Sequence, residues 1–283
     1  MKHISLDISG ANQPAKAWPA QRRYRSLFLS DVHLGAHGCR ADRVLDFLER
    51  HDADVIYLVG DFLDGWRPIR SRWSTVHDEV IRTLMARSRD GARIVYVPGN
   101  HDGFFRRHYG IYFDRIEVVE QTIHVAADGK RYLVVHGDCC DVFANKARWL
   151  SLVGSHVDGA VRGLNALLNR GRRALGFEDG KLITASVATF NRLIRRWDRF
   201  EVRLSALAQS QEVEGIVCGH FHRAALHADH GVVYANCGDW LESCTAIVEE
   251  ADGHLRVLDW RGRRPVAAED PLPEAEDVPG LAI

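Results

Sequence analysis

Five short phrases of the sequence combine carboxylate, imidazole and amide side chains at close spacing. The phrases are Asp31-Val32-His33, Gly60-Asp61, Gly99-Asn100-His101-Asp102, His136-Gly137-Asp138 and Gly219-His220-Phe221-His222. Carboxylate and imidazole ligands together suit manganese, iron or zinc, and this set needs no thiolate. The phrases therefore predict a centre for two divalent metal ions. Its predicted ligands are Asp31, His33, Asp61, Asn100, His136, His220 and His222.

The predicted ligands are divided between the two ions. Asp31 and His33 can bind one ion from a single loop, and the two oxygens of Asp61 can bridge both ions. The sequence leaves open which ion His220 binds and which ion His222 binds. Two such ions neutralise the charge of a phosphoryl group and generate a nucleophile from water near neutral pH. The expected chemistry is therefore hydrolysis of a phosphate ester or anhydride.

The residue after Asn100 has a second chemical role in this prediction. His101 is expected to stabilise the charge that develops on the leaving oxygen, or to protonate that oxygen. Asp102 is expected to orient the His101 ring. If this is correct, His101→Ala lowers turnover more than it lowers metal content. Asn100 and His101 are also predicted to contact the substrate.

Each chemical phrase follows a short apolar run that is typical of a β-strand. In layered α/β sheets, ligands bind in the crevice beyond the carboxyl ends of the strands, so the five loops are expected to converge there. Amphipathic helices are predicted near residues 40–50 and 74–88, which makes the fold class α/β. The predicted strands are 26–30, 54–59, 92–97, 131–135, 216–218, 232–234, 245–248 and 255–258.

The strand pattern divides the chain into three parts. Residues 1–24 are predicted to be an N-terminal arm, and residues 25–264 are predicted to be one catalytic domain. Within that domain, leucines at helical spacing predict a helical insertion at about 142–210. The tail, 265–283, carries Pro and acidic residues and is expected to be disordered.

The insertion carries arginines beside its apolar residues, and two interpretations of them stay open. They can belong to a lid that holds acyl chains and phosphates, or to an ordinary helix with an apolar core and a solvated face. A third use of the insertion is peripheral contact with an anionic membrane surface. The arginines predicted to contact the substrate are Arg192, Arg195 and Arg196.

Composition limits the classes of function. The 283 residues are 46% hydrophobic, and Lys plus Arg (37) nearly balances Asp plus Glu (38), so the net charge is −1. We therefore expect no nucleic-acid partner.

The six cysteines are irregularly spaced, which favours reduced thiols in the cytoplasm. The sequence has no run of about 18 consecutive apolar residues, so no membrane span is predicted. The protein is expected in the cytoplasm, or bound through the insertion to the inner face of the cytoplasmic membrane. The sequence leaves the oligomeric state open.

The five phrases, taken together, resemble the signature of the calcineurin-like metallophosphoesterase superfamily over roughly residues 25–260. Within that superfamily, two longer stretches and the insertion between His136 and His220 resemble the UDP-2,3-diacylglucosamine diphosphatase family. The two stretches are Ser30-Asp31-Val32-His33-Leu34 and Gly60-Asp61-Phe62-Leu63-Asp64-Gly65-Trp66.

This resemblance implies a four-layer α-β-β-α sandwich of two mixed sheets and a pair of metal ions, usually manganese. It also implies hydrolysis of UDP-2,3-diacylglucosamine to UMP and 2,3-diacylglucosamine 1-phosphate in lipid A biosynthesis, with the insertion as a lid for the acyl chains. Two features depart from the best-known members. His101 stands where they have Arg, and residues 139–142 read Cys-Cys-Asp-Val in place of a longer polar, acidic run.

Two other functions remain open at this point. His101 also permits a soluble phosphodiesterase or phosphatase that acts on a nucleotide or another small molecule, with the insertion as a specificity cap. A scaffold of the same fold without catalysis is the second alternative. A scaffold is expected to have lost metal ligands, whereas this chain keeps all seven.

Overall fold

A computed structural model describes residues 22–66, 73–113, 115–140 and 200–261. Three predictions fall wholly or mainly outside these ranges. They are the N-terminal arm up to residue 21, the insertion from residue 141 to residue 199, and the tail. Arg192, Arg195 and Arg196 lie outside the described residues as well.

The described residues form twelve strands, three α-helices and two short 3₁₀ helices. The 3₁₀ helices are Gly103–His108 and Asp138–Cys140, and the α-helices are α1 (Ala41–Arg50), α2 (Thr75–Arg89) and α3 (Phe200–Ser210). The strands are β1 (Arg22–Leu29), β2 (His51–Val59), β3 (Arg93–Val97), β4 (Tyr112–Phe113), β5 (Ile116–Val118), β6 (Thr122–Val125), β7 (Arg131–Val134), β8 (Gly215–Cys218), β9 (Ala225–His227), β10 (Val233–Asn236), β11 (Thr245–Glu249) and β12 (Leu255–Asp259).

The strands form two mixed sheets. The first has seven strands in the order β12-β11-β1-β2-β3-β5-β4, and the second has five in the order β6-β7-β8-β10-β9. Strands β1, β2, β3 and β5 run parallel at the centre of the first sheet, and β7, β8 and β10 run parallel in the second. Each sheet therefore gathers several strand carboxyl ends at one edge.

The two sheets and the helices stack in four layers, because alternate residues of a strand point to opposite faces. In β2, Ile56 packs toward α1 and α2, whereas Tyr57 packs between the two sheets. In β8, Val217 packs between the sheets and Ile216 packs toward α3. Three hydrophobic cores result, one between each pair of layers. Strands buried on both faces in this way read as nearly continuous apolar runs.

Helix α3 covers the outer face of the second sheet. Its side chains Phe200, Leu204 and Ala208 recur at a spacing of four, and all three are buried against that sheet. Residues 200–210, the last part of the predicted insertion, therefore contribute to the core. Among the described residues, no helix has the length and apolar character that a membrane span requires.

The strand pattern of the sequence matches most of the observed strands, with shifted ends. Strand β1 begins at Arg22, four residues before the predicted start at 26, and β2 begins at His51. The short strands β4, β5, β6 and β9 were not predicted. Three of them hold only two or three residues, too few to show the alternating pattern on which a strand prediction depends.

Candidate metal centre

The five chemical phrases lie at the carboxyl ends of β1, β2, β3, β7 and β8, where the two sheets meet. Backbone hydrogen bonds hold these loops against one another. The Asp31 N–H donates to the Gly60 carbonyl (3.1 Å), and the His33 N–H donates to the Asp61 carbonyl (2.8 Å). In the second sheet, the Gly219 N–H donates to the His136 carbonyl (3.1 Å). Convergence at the strand ends follows from the parallel strand order.

Five of the predicted ligands have left-handed backbone conformations. This conformation is uncommon for residues with a side chain, and it concentrates at functional sites whose surroundings enforce it. Among the described residues, seven non-glycine residues have positive φ, and five of them are predicted ligands. The φ angles are 52° at Asp31, 50° at His33, 50° at Asp61, 71° at His220 and 55° at His222. The loops thus turn sharply to direct these side chains into one space.

Asp31 presents one carboxylate oxygen to the protein and one to the space between the loops. Its Oδ2 accepts the backbone N–H of His220 (2.8 Å) and the hydroxyl of Ser30. Its Oδ1 is buried and has no hydrogen-bond partner. That oxygen lies 3.3 Å from His222 Nε2 and 3.7 Å from His33 Nε2. A buried carboxylate oxygen without a donor is costly unless a cation satisfies it.

Asp61 divides its two oxygens in the same way. Its Oδ1 accepts the backbone N–H of His101 at 2.7 Å. Its Oδ2 lies 3.4 Å from His136 Nε2 and 3.9 Å from His33 Nε2. Asp61 therefore stands between a histidine of the first sheet and a histidine of the second. This position suits a carboxylate shared by two ions.

The donor atoms form three overlapping groups that have metal-binding spacing. Within each group the donor atoms lie within 4.8 Å of one another. His222 belongs with Asp31, whereas His220 belongs with Asp61, an arrangement that favours different ions for these two histidines. The Asn100 side-chain oxygen lies 3.3 Å from His136 Nε2 and so joins the group that contains Asp61, His136 and His220. The groups are Asp31, His33 and His222; His33, Asp61 and His101; and Asp61, His136 and His220.

The donor set fits divalent ions on geometry as well as on chemistry. Ligand atoms about 2.1 Å from one ion lie about 3.0 to 3.4 Å from each other in octahedral or tetrahedral arrangements. The His33 and His222 Nε2 atoms are 3.4 Å apart, at the upper end of that range. His136 Nδ1 lies 3.0 Å from the Val59 carbonyl and donates to it, so Nε2 keeps its lone pair for a metal.

Electrostatics keep both carboxylates ionised at neutral pH. Burial alone would raise the pKa of Asp31, but the imidazoles of His222 and His33 lower it to about 2. Burial also opposes ionisation of Asp61, and His136 outweighs it, so the pKa of Asp61 lies below its ordinary value. Both groups are therefore charged and able to bind cations.

Two glycines make room for the ligands. A Cβ at Gly60 would collide with the His136 ring, and Gly60 also has a φ of 78°, which favours glycine. A Cβ at Gly99 would collide with the Asp61 carboxylate and with His136. These positions explain why glycine precedes Asp61 and Asn100 in the sequence.

His101 is held beside the metal ligands by two side chains of the loop after β2. Its Nδ1 lies 3.0 Å from Asp64 Oδ1, and Trp66 stacks on its ring with centroids 3.6 Å apart and planes at 17°. The Trp66 ring is itself fixed, because its Nε1–H donates to the Asn100 carbonyl at 2.9 Å. The other edge of His101 meets the His33 ring, with centroids 4.5 Å apart. His101 is thus oriented toward the ligand cluster.

Asp102 does not orient the His101 ring, so its predicted role is wrong. Its carboxylate is buried and accepts hydrogen bonds from Gly99 N (2.6 Å), Phe62 N (2.7 Å), Leu63 N (3.3 Å) and the Tyr96 hydroxyl. These bonds join the loops after β2 and β3. Burial and the charge of Asp61 raise the pKa of Asp102. Asp102 supports the loops that carry the ligands.

The residue that sequence reasoning missed is Asp64. It lies three positions after Asp61 in the same loop, and a second carboxylate at that spacing was the available signal. Asp138, quoted in the His136 phrase, forms an ion pair with Arg106 at 2.6 Å. Arg106 also donates to the Pro98 carbonyl (3.3 Å), so this pair connects the loops after β3 and β7.

Comparison with known proteins gives the same family as the geometry. The calcineurin-like phosphoesterase family matches residues 24–224. A UDP-2,3-diacylglucosamine hydrolase of Psychromonas ingrahamii is 22% identical over 236 residues, which cover 81% of this chain and 94% of that protein. The hydrolase of the same name from Neisseria gonorrhoeae is 24% identical over 244 residues, covering 82% and 97%.

Among solved structures, a dimetal phosphatase from Danio rerio is similar over 85% of this chain and 96% of that chain. Its identity is 13% and its TM-score is 0.44, a likeness too distant to carry an argument. The two mixed sheets and the family match confirm the predicted α/β fold class. The family match also confirms the prediction that the protein is a metal-dependent phosphoesterase. The chain belongs to the calcineurin-like phosphoesterase family.

Proposed function

We propose that the protein hydrolyses the phosphate anhydride of UDP-2,3-diacylglucosamine, with water, to UMP and 2,3-diacylglucosamine 1-phosphate. The observation that carries the reaction type is the set of three overlapping donor groups, in which the group of His33, Asp61 and His101 connects the other two. The substrate is supported by the relatives named UDP-2,3-diacylglucosamine hydrolase, which align over most of this chain and most of their own length.

Two divalent ions fit these donor groups, and we propose manganese as the native metal. Asp31, His33 and His222 would hold one ion, and Asp61 would be shared. The second ion would be held by Asn100, His136 and His220 together with Asp61. When bound, the ions supply positive charge for the phosphoryl oxygens and make a nucleophile available from water near neutral pH.

His101 carries the proton chemistry in this proposal. Its Nδ1–H donates to Asp64, which orients the ring so that Nε2 can deliver a proton to the leaving phosphate oxygen. Stacking on Trp66 removes the rotational freedom that a half-buried imidazole would otherwise keep. The pair thus orients a proton donor at the edge of the ligand cluster.

The acyl chains need a surface that the metal centre does not supply. We propose that the predicted insertion covers them, with Arg192, Arg195 and Arg196 meeting the phosphates and with peripheral contact at the inner face of the cytoplasmic membrane. A deletion that tests this idea must stop before Phe200, because Phe200 and Leu204 belong to the core beneath α3. Loss of activity on the lipid substrate alone supports the lid, and parallel loss on a small diester contradicts it.

A second candidate is a phosphodiesterase for a water-soluble nucleotide or another small molecule. The observation that favours it is the His101–Asp64 pair, because a proton donor also serves an alkoxide leaving group, which is a worse leaving group than a phosphate. A scaffold without catalysis has little support, since the donor set includes a buried Asp31 oxygen that lacks any other partner.

The deciding experiment measures manganese-dependent release of UMP from detergent-dispersed UDP-2,3-diacylglucosamine by the full chain. Asp61→Ala is the inactive control, and Asp229→Asn, an exposed carboxylate away from the centre, is the matched control. Release by the wild type and by Asp229→Asn, but not by Asp61→Ala, supports the proposal. Activity on a soluble phosphodiester without UMP release would retain the phosphoesterase and exclude the lipid substrate.

A further inference from the structure

Two adjacent cysteines follow the His136 phrase, and the metal centre uses neither. Cys139 and Cys140 end the 3₁₀ helix Asp138–Cys140. Of the six cysteines, Cys139 is the exposed one, Cys140 is half-buried, and all six are free thiols. Two thiols on neighbouring residues, with one open to solvent, form a dithiol that a small reagent can reach.

The spacing of the two sulfurs suits chelation of one thiophilic atom. The Cys139 and Cys140 Sγ atoms are 3.8 Å apart. Two sulfurs bound at about 2.3 Å to one centre lie about 3.8 Å apart at the tetrahedral angle. They lie closer at the narrower angle of a pyramidal centre such as trivalent arsenic, so the two sulfurs need only a small movement toward each other to bind one atom. A disulfide instead needs sulfurs about 2.05 Å apart, and its α-carbons are usually separated by at least about 4.4 Å. Adjacent α-carbons are about 3.8 Å apart, so chelation fits this pair better than oxidation.

The backbone of the pair is fixed on the protein side. The Cys140 N–H donates to the Gly137 carbonyl (3.0 Å), and Arg203 Nε donates to the Cys140 carbonyl (2.8 Å). The Cys139 thiol donates to the Cys140 sulfur, and this hydrogen bond lowers the pKa of Cys140. A fixed backbone lowers the entropy cost of placing both sulfurs on one ligand.

From this geometry we infer that Cys139 and Cys140 form a binding site for trivalent arsenic compounds of the arsenite class. Trivalent arsenic that carries one hydroxyl or organic group needs only two thiolates, so no third protein ligand is required. Two thiols and arsenous acid give two arsenic–sulfur bonds and two molecules of water. Arsenic and sulfur keep their oxidation states, and each thiol proton leaves in one of the waters.

Binding at this site also inhibits the enzyme, because the same turn carries contacts of the metal centre. Asp138, next to Cys139, forms the ion pair with Arg106 that joins the loops after β3 and β7. His136 lies three residues before Cys139 and is one of the residues that would hold the second ion. Drawing the two sulfurs from 3.8 Å to the shorter separation of a pyramidal arsenic centre pulls on this turn and weakens the pair.

The test titrates the reduced, full-length protein with phenylarsine oxide and counts bound arsenic by intact mass. One arsenical per chain is expected, with affinity at least about 100-fold weaker in Cys139→Ser and in Cys140→Ser, because each variant loses the intramolecular second bond. Cys39→Ser, which removes a half-buried thiol elsewhere, is the matched control and is expected to bind as the wild type does.

Three results would overturn the inference. They are unchanged affinity in the Cys139 and Cys140 variants, equal loss in Cys39→Ser, and no binding by a wild type whose thiols are fully reduced. A dithiol competitor is expected to release the arsenical and a monothiol is not, a comparison that needs only the wild type. Full activity on a soluble phosphodiester at saturating arsenical would overturn the inference that binding inhibits the enzyme.

Discussion

His101 Nδ1 lies 3.0 Å from Asp64 Oδ1, across 37 residues of sequence. The contact joins the loop after β3 to the loop after β2. Burial tends to raise the pKa of Asp64, but the hydrogen bond and charge of His101, together with the charge of His33 and the Trp66 N–H, outweigh it, so this pKa lies below its ordinary value. Asp64 is therefore ionised and can accept the Nδ1–H of His101.

The first prediction concerns this pair. We expect Asp64→Ala to lower kcat about 10- to 100-fold, because an unsupported ring loses its orientation and the stabilisation of its proton. His101→Ala should lower kcat by about 100-fold or more, since the proton donor itself is lost. Steady-state kinetics on a phosphodiester and metal content per chain are the two measurements. Both variants should keep their metal.

A double variant separates coupling from two independent effects. If Asp64 acts through His101, Asp64→Ala adds little to the defect of His101→Ala. Asp64→Asn, which keeps an oxygen to accept the Nδ1–H, should recover part of the activity lost in Asp64→Ala. Multiplicative defects in the double variant, or metal loss equal to the activity loss, would contradict the positioning role.

The positions of the ligand loops could be predicted from the sequence for a physical reason. Asp31, Asp61 and His136 each follow an apolar strand, and parallel strands bring such residues to one edge. Contacts between loops are a different matter. Nothing local distinguishes Asp64 from Asp102 as the partner of His101, because the choice depends on how the loops after β2 and β3 pack together.

The allocation of histidines was likewise hidden from the sequence. His220 and His222 are two residues apart and both have positive φ, yet their rings lie beside different histidines. Only the placement of β8 beside β7 brings His220 near His136, with ring centroids 5.2 Å apart. His222 instead lies near His33, with centroids 5.2 Å apart.

The second prediction follows from this allocation. We expect His222→Ala to lose mainly the ion held by Asp31 and His33, and His220→Ala to lose mainly the ion held with His136. Asp61→Ala should lose both, because its carboxylate is shared. The measurement is metal content per chain by elemental mass spectrometry after dialysis. His227→Ala, away from the centre, is the control; equal metal loss in all three ligand variants would contradict the shared role of Asp61.

The third prediction tests the close packing at Gly60. Gly60→Ala is expected to lose metal and activity, since its Cβ would displace the His136 ring. Gly91→Ala is the matched control, because Gly91 also has positive φ (109°) but no atom lies within 4 Å of its Cβ position. Both variants store backbone strain of about 1 to 3 kcal/mol. Urea unfolding and metal content distinguish strain from collision.

Only Gly60→Ala should lose metal, although both variants should be less stable than the wild type. If Gly91→Ala loses metal to the same extent, backbone strain rather than contact with His136 explains the effect.

The fourth prediction concerns a buried acid between the sheets, away from the metal centre. Glu249 is fully buried and accepts from His124 Nε2 (2.8 Å) and from the Ala127 N–H (2.8 Å). His124 Nδ1 in turn lies 3.1 Å from the Tyr57 hydroxyl. Burial tends to raise the pKa of Glu249, but its hydrogen-bond donors together with the charge of His124 outweigh burial and lower the pKa.

Because this pKa is lower in the folded protein, Glu249 stabilises the fold above the ordinary Glu pKa of about 4.3. We expect this contribution to the free energy of unfolding to disappear as the pH falls from about 4.3 through the lower folded value. Glu249→Gln should lose this pH dependence and about 1 to 3 kcal/mol at neutral pH, because an amide cannot accept both hydrogen bonds.

The neighbouring residue supplies the control. Glu250 lies in the partly exposed ion pairs with Arg22 and Arg256, where solvent screens the charges. Glu250→Gln should therefore keep the acid-side loss of stability seen in the wild type. Urea unfolding of all three proteins across acidic to neutral pH measures the difference. A parallel pH profile for Glu249→Gln and the wild type would show that the buried network does not govern acid stability.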